Sequence, residues 1–284
     1  MVYDEGFFKY TGNDNIFYRS CFPEEEPLAI ILIVHGLAEH CGRYSNVIDY
    51  FTPRGYAFYG FDLPGHGKSS GTRAHLNRFA DYTNALQSCH SMIKKHHYHL
   101  PLFLLGHSMG GLIAARYLID HQEELTGAVL SAPSIKVPEN ISPVTIFAGR
   151  ILSFLVPSAG ILTIDAEGVS RDPKVVTNYI QDPFVFRGKA TARLSAELLD
   201  TMQYVMEAAA KITLPILVIQ GSADKLVDPE GAKIFYNKAG SSDKKIIIYE
   251  GLYHEVLNEP EHGRVLEDLE TWLSSHIRLI ERGG

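Results

Sequence analysis

Leu102-Phe103-Leu104-Leu105-Gly106-His107-Ser108-Met109-Gly110-Gly111 is the stretch that decides the fold. A short apolar run of strand character leads into G-x-S-x-G, and the sequence turns helical near Met109. In that order the motif lifts a serine above a sheet. Gly106 and Gly110 leave room for a sharp, strained turn, and the helix behind it aims its positive end at Ser108. A chance cluster of Gly and Ser would lack the strand before it and the helix after it.

Reading outward, similar branched runs recur at Ala29–Val34, Tyr56–Phe61, Gly127–Leu130, Ile216–Ile219 and Ile246–Tyr249. Continuous rather than alternating hydrophobicity marks strands of a parallel sheet covered on both faces. Helical patterns lie between them: Phe79, Tyr82, Leu86, Cys89 and Ile93 share one face, as do Val265, Leu269, Trp272 and His276–Ile277. The expectation is an α/β fold, a mostly parallel central sheet with helices on both faces. Phe7–Tyr10 and Ile16–Cys21, joined by Thr11-Gly12-Asn13-Asp14-Asn15, read as an antiparallel hairpin at its edge. After Ser131-Ala132-Pro133 the alternation breaks, and the chain is helical with no sheet-like run to about Ala210. Residues 1–134 and 211–284 are therefore expected to form one core, with 135–210 inserted as a helical cap.

A serine hydroxyl is a weak nucleophile at neutral pH and needs a base, which in turn needs a carboxylate to orient it. Asp224 follows the run Ile216–Ile219 at the strand edge where open α/β sheets carry their sites. Asp228 precedes Pro229 and a helical stretch, the pattern of a helix cap, so Asp224 is the expected acid. The chain has 13 histidines, but His254 follows the last strand after both Ser108 and Asp224 and completes the order Ser, Asp, His. The turn at Gly36, after Ile33-Val34-His35, stands where such a fold supplies one oxyanion donor; the backbone N–H groups of Leu37 and Met109 are the expected pair.

Other chemistries fit poorly. His254-Glu255 would need a second histidine at position 258 for HExxH, and Asn258 stands there. His96, His97 and His99 read as a solvated connection rather than a metal site. Asp62-Leu63-Pro64-Gly65-His66-Gly67-Lys68-Ser69 lacks Walker A spacing and reads as a structural turn. No metal and no organic cofactor is expected. The net charge of −7, without a basic stripe, argues against nucleic acid as a partner. Three widely spaced cysteines, Cys21, Cys41 and Cys89, form no disulfide framework or zinc pattern. Met1–Tyr10 lacks the basic and apolar regions of a signal peptide, so the expected location is cytoplasmic.

The motifs HGLAEHCGRY, DLPGHGKSSG, GHSMGG, QGSADKLVD and YEGLYH resemble those of monoacylglycerol lipases and lysophospholipase-like serine hydrolases of the α/β-hydrolase superfamily. The resemblance covers the core and is looser over the inserted segment. It implies Ser108, Asp224 and His254 as the triad, Leu37 and Met109 as oxyanion donors, and Gly36 as the turn that lets the first donor point inward. It also implies a small polar pocket for a glycerol head group, with Tyr179 and Glu39 as contacts. Leu37 is larger than the alanine of mammalian members, and Val227 replaces a cysteine found there, so sulfhydryl inhibition is not expected.

Ile141, Val144, Phe147, Ile151, Leu152, Phe154, Leu155 and Val156 make the start of the inserted segment apolar nearly all round, although Ile141–Pro157 is too short to span a bilayer. Packing against the core is one account of it; an acyl-chain tunnel whose rim makes peripheral contact with a membrane is another. The expected activity is hydrolysis of monoacylglycerols, a small-molecule lipid ester substrate, through an acyl-enzyme on Ser108. A broader carboxylesterase, lysophospholipase or peptidase uses the same triad, and a noncatalytic hydrolase-like binding protein would usually have lost one of the three residues.

Overall fold

The computed structural model describes residues 1–12, 14–137 and 142–283, without the side chains of Pro143 and 278–283. Asn13 of the expected turn and Ile141 of the apolar stretch lie outside the described residues. The chain runs β1 (Val2–Lys9), β2 (Asn15–Phe22), β3 (Ala29–Val34), α1 (Ser45–Phe51), β4 (Tyr56–Phe61), α2 (Ala80–His96), β5 (Leu102–His107), α3 (Met109–Leu118) and β6 (Gly127–Ser131). It continues with α4 (Pro143–Leu155), β7 (Gly160–Leu162), α5 (Pro173–Gln181), β8 (Ala190–Thr191), α6 (Ala192–Ala208), β9 (Ile216–Gly221), α7 (Pro229–Lys238), β10 (Lys244–Tyr249) and α8 (His262–Gly283).

One eight-stranded sheet has the order β1-β2-β4-β3-β5-β6-β9-β10. β1 and β2 pair antiparallel, β2 meets β4 antiparallel, and the remaining neighbours are parallel. The inner strands carry helices on both faces because their side chains alternate sides. Leu102 and Leu104 of β5 join one apolar layer with α2 and α3, while Phe103 and Leu105 join the other with α1 and α8. Phe103 meets Trp272 of α8 edge-on, ring centres 5.9 Å apart.

Two expectations need correction. β10 is not a fully buried strand: Ile246, Ile247 and Ile248 are half-exposed, because it lies at the sheet edge with β9 on one side only. The segment after β6 also contains a short antiparallel ladder, Gly160 opposite Thr191 and Leu162 opposite Ala190. Strands of three and two residues are too short to leave a period in the sequence.

Helix starts follow local chemistry. Asp172 before Pro173 and Asp228 before Pro229 each accept a backbone N–H of the first turn, and Thr191 does the same for α6. Proline at the first helical position loses no intrahelical bond there. Asp228 also pairs with Lys136 at 2.7 Å, a contact the cap reading leaves out.

Candidate active site

Ser108 sits between β5 and α3 with φ 55° and ψ −119°, a conformation that side chains with a Cβ rarely adopt. It is held by its surroundings. Ser108 N–H donates to the Ser131 carbonyl at 2.9 Å, and the Ser108 carbonyl accepts from Gly111 and Ser134 at 2.9 and 3.0 Å. A Cβ on Gly110 would lie 2.0 Å from the Val34 carbonyl oxygen, so α3 can approach β3 only with glycine there.

His254 and Asp224 arrive from the loops after β10 and β9. His254 Nδ1 lies 2.7 Å from Asp224 Oδ2, and both side chains are buried. With the carboxylate as acceptor, Nδ1 carries the proton and Nε2 keeps its lone pair. Oδ1 of Asp224 accepts from the N–H groups of Leu226 and Val227 at 2.8 and 3.0 Å. Burial alone would raise the Asp224 carboxyl, but the His254 bond, its charge and the two backbone donors hold it below the ordinary carboxylate range.

Leu37 and Met109 line the same cavity as Ser108 and His254. Among the described residues neither backbone N–H has an internal acceptor. Met109 opens α3, where a helix leaves such groups unpaired. The left-handed backbone in this loop falls on Ala38, φ 67°, rather than on Gly36. Gly36 is favoured by close approach instead: a Cβ there would stand 3.0 Å from Glu39 Oε1 and 3.2 Å from Ser108 Cβ, tighter than ordinary contact.

The polar end of the cavity holds more than the two residues the family pattern implies. Glu39 Oε1 accepts from Gly36 N–H at 2.6 Å and Tyr44 O–H at 2.8 Å, while Oε2 pairs with Arg43 at 2.8 Å. Arg43 also forms a two-pronged bond to Glu255 at 2.6 and 2.8 Å, and its guanidinium lies 4.6 Å from the centre of the Tyr179 ring. Burial opposes ionisation of Glu39, yet Arg43, with His107, His35 and the Gly36 N–H, brings its carboxyl down to about 2. Arg43 thus ties the turn behind Leu37 to the residue after His254. Sequence reasoning missed Arg43, although it stands four residues after Glu39, and treated Glu255 only as part of a failed zinc motif. It also missed Gln220, whose amide reaches Asp224.

His107 lies with its ring centre 4.8 Å from that of His254, and burial pushes it down to about 4, so it is neutral near pH 7. The other motifs are structural. Asp62 accepts from the N–H groups of Cys41 and Lys68, which folds its glycine-rich loop. His97 packs against Phe22, and His99 pairs with Glu26.

The cavity has a volume of about 710 Å³, within the range of small-molecule sites. Beyond the polar end it is walled by Ile146, Leu152, Ile161, Leu199, Met202 and Leu226.

Residues 25–261 match the family model described as serine aminopeptidase, S33. A monoacylglycerol lipase of Mycolicibacterium smegmatis is 36% identical over 96% of this chain and 98% of its own length. The monoglyceride lipase of Rattus norvegicus is 33% identical over 92% of this chain and 88% of its own. The chain belongs to the monoacylglycerol lipase family of serine hydrolases. A solved member, the monoacylglycerol lipase of Paleococcus ferrophilus, superposes with a TM-score of 0.81 at 31% identity, covering 92% of this chain and 99% of that one. The α/β-hydrolase architecture of the family is the one described above.

Proposed function

We propose that this enzyme hydrolyses the ester of monoacylglycerols to fatty acid and glycerol, with Ser108, His254 and Asp224 as its catalytic triad. The observation that carries this reading is the 2.7 Å bond from Asp224 to His254, a histidine that lines the same largely apolar cavity as the strained Ser108. His254 Nε2 takes the hydroxyl proton as Ser108 Oγ attacks the ester carbonyl, and Leu37 and Met109 N–H groups receive the developing oxyanion. Collapse of the tetrahedral intermediate expels the glycerol oxygen, which takes the proton from His254. Water then attacks the acyl-enzyme with His254 again as base, releasing fatty acid and returning the proton to Ser108.

The site supports a long acyl chain along Ile146, Leu152, Leu199 and Met202, with a hydroxylated head group toward Glu39 and Tyr179. Glu39 already accepts three hydrogen bonds, so its carboxylate retains capacity for about one hydroxyl donor. The described residues of the 135–210 segment act as a cap over this cavity. Their outward side chains, among them Val144, Phe147, Phe154 and Leu155, are exposed and would rest on a lipid surface at its cytoplasmic side. No helix among the described residues is long and apolar enough to cross a membrane.

The test is steady-state hydrolysis of a long-chain monoacylglycerol by wild type and Ser108→Ala. Lysophospholipid, short p-nitrophenyl esters and an aminoacyl anilide run beside it. Monoacylglycerol turnover that disappears in the variant is the expected result. Serine-dependent activity confined to another substrate would replace the lipase reading, and unchanged turnover by Ser108→Ala would remove the mechanism.

A further inference from the structure

Gln220 is a polar residue where the fold would accept an apolar one. It lies in β9, Ile216-Leu217-Val218-Ile219-Gln220-Gly221, a strand buried along its whole length, and Gln220 itself is fully buried. Burying an amide is unfavourable unless its groups are hydrogen-bonded, and leucine or methionine would fill similar space without that cost. Only one end of the amide is satisfied. Nε2 donates to Asp224 Oδ2 at 2.8 Å and to the Gly221 carbonyl at 3.2 Å, while among the described residues Oε1 has no partner.

The orientation of the amide follows from the same contacts. Rotated by half a turn, Oε1 would face a carboxylate oxygen and a carbonyl oxygen, and three acceptors would meet without a proton between them. The side chain is therefore held for its donor end, at the expense of a buried orphan acceptor. Its target is Oδ2, the oxygen that also accepts the His254 Nδ1 proton. One carboxylate oxygen thus divides its negative charge between an amide and the imidazole.

We infer that Gln220 is a positioning residue for the reaction, fixing Asp224 Oδ2 and limiting how strongly it holds the His254 proton. This rests on the triad reading above. Without the Gln220 donor, Oδ2 would concentrate its charge on His254 and favour the imidazolium, so more of the enzyme would lack a free base at a given pH. The acid limb of the pH–rate profile would then move upward. Other charged or titratable groups line the same cavity as His254: His107 on β5, Glu39 and Arg43 after β3, Lys225 beside Asp224 and Glu255 beside His254. Among the described residues Gln220 is hydrogen-bonded to none of them.

The experiment compares wild type with Gln220→Met, which keeps length and volume but removes the donor, on a soluble short-chain ester across pH. A lost hydrogen bond to a charged acceptor predicts a fall in kcat of roughly tenfold with KM unchanged. The midpoint of the acid limb should rise by about half to one pH unit, and the downfield proton signal of His254 Nδ1–H should shift with it. A limb and signal that coincide with wild type would overturn the inference, even with reduced kcat, because packing alone moves neither. Should the variant fail to fold, the wild-type protein carries the test. Its Gln220 side-chain amide protons are expected to titrate with the acid limb, and their indifference to that titration would overturn the inference. Failure of the triad reading is separately visible as normal turnover by Asp224→Asn.

Discussion

The two ends of the cavity are held in opposite ways. At the polar end Glu39, Arg43 and Glu255 are nearly sealed from solvent and satisfy one another through short bonds. At the other, α4 turns Phe154 and Phe147 outward, 82% and 64% exposed, while Ile146 and Leu152 face the cavity. Moving the first region would leave a buried charge unpaired, which costs several kcal/mol. Moving the second disturbs apolar surface that is already wet, so little burial is lost. Groups that must be placed to a fraction of an ångström sit on the first region, and the walls that would have to admit an acyl chain belong to the second.

The largest effect should come from the rigid side. Asp224→Asn offers His254 Nδ1 a group that can donate as well as accept, which favours the wrong tautomer. A loss in kcat of about 10⁴-fold is expected from steady-state assays. A modest loss would mean that this end of the site tolerates rearrangement, and the contrast with α4 would fail.

Arg43→Met tests what fixes that end. Without the guanidinium, Glu39 and Glu255 are left buried without their shared cation, a cost of about 3–5 kcal/mol. Scanning calorimetry should show a melting temperature lower by roughly 10 °C. Phe154→Ala, which removes a larger side chain, should stay within about 0.5 kcal/mol of wild type because that side chain is exposed. Equal losses in the two variants would abolish the distinction.

A smaller effect concerns acid. The Glu39 carboxyl lies at about 2 in the fold against an unperturbed 4.5. A depressed folded value contributes stability that is complete above the unfolded value and disappears as pH falls through the folded one. Glu39→Gln should therefore be less stable than wild type at neutral pH and lose less further stability between about pH 5 and pH 2. Parallel stability–pH curves for the two proteins would contradict the assignment of that charge to the site.

What could be read in advance followed the same division. Ser108, Asp224 and His254 each stand at a strand end, and strands such as Ala29–Val34 and Tyr56–Phe61 announce themselves as unbroken apolar runs. Arg43, Glu255 and Gln220 escaped because their roles depend on partners far along the chain: Arg43 and Glu255 are separated by 212 residues. Gln220 stands just past the apolar run Ile216–Ile219, and only its burial and its bond to Asp224 give it meaning. The apolar stretch at Val144–Leu155 was visible, but a helix apolar nearly all round can bury either face. The structure turns Phe147 and Phe154 to solvent and Ile146 and Leu152 to the cavity, so lining a cavity and presenting an apolar rim coexist on one helix.

The last prediction turns on that rim. If α4 rests on a lipid surface, Phe147 and Phe154 are the side chains that enter it, since both project from the exposed face. Full burial of a phenylalanine is worth about 1.5–3 kcal/mol, and shallow insertion recovers part of this. The double variant Phe147→Ser and Phe154→Ser should thus bind vesicles about tenfold or more weakly and hydrolyse vesicle-borne monoacylglycerol in proportion. On a soluble short ester its kcat should remain within about twofold of wild type, because exposed substitutions seldom disturb a distant packed site. Equal losses on both substrates would show that α4 shapes the catalytic geometry and that the two ends of the cavity are mechanically one. Unchanged vesicle binding would leave the comparison of rigidity standing but remove the lipid surface from the account of why α4 faces its phenylalanines outward.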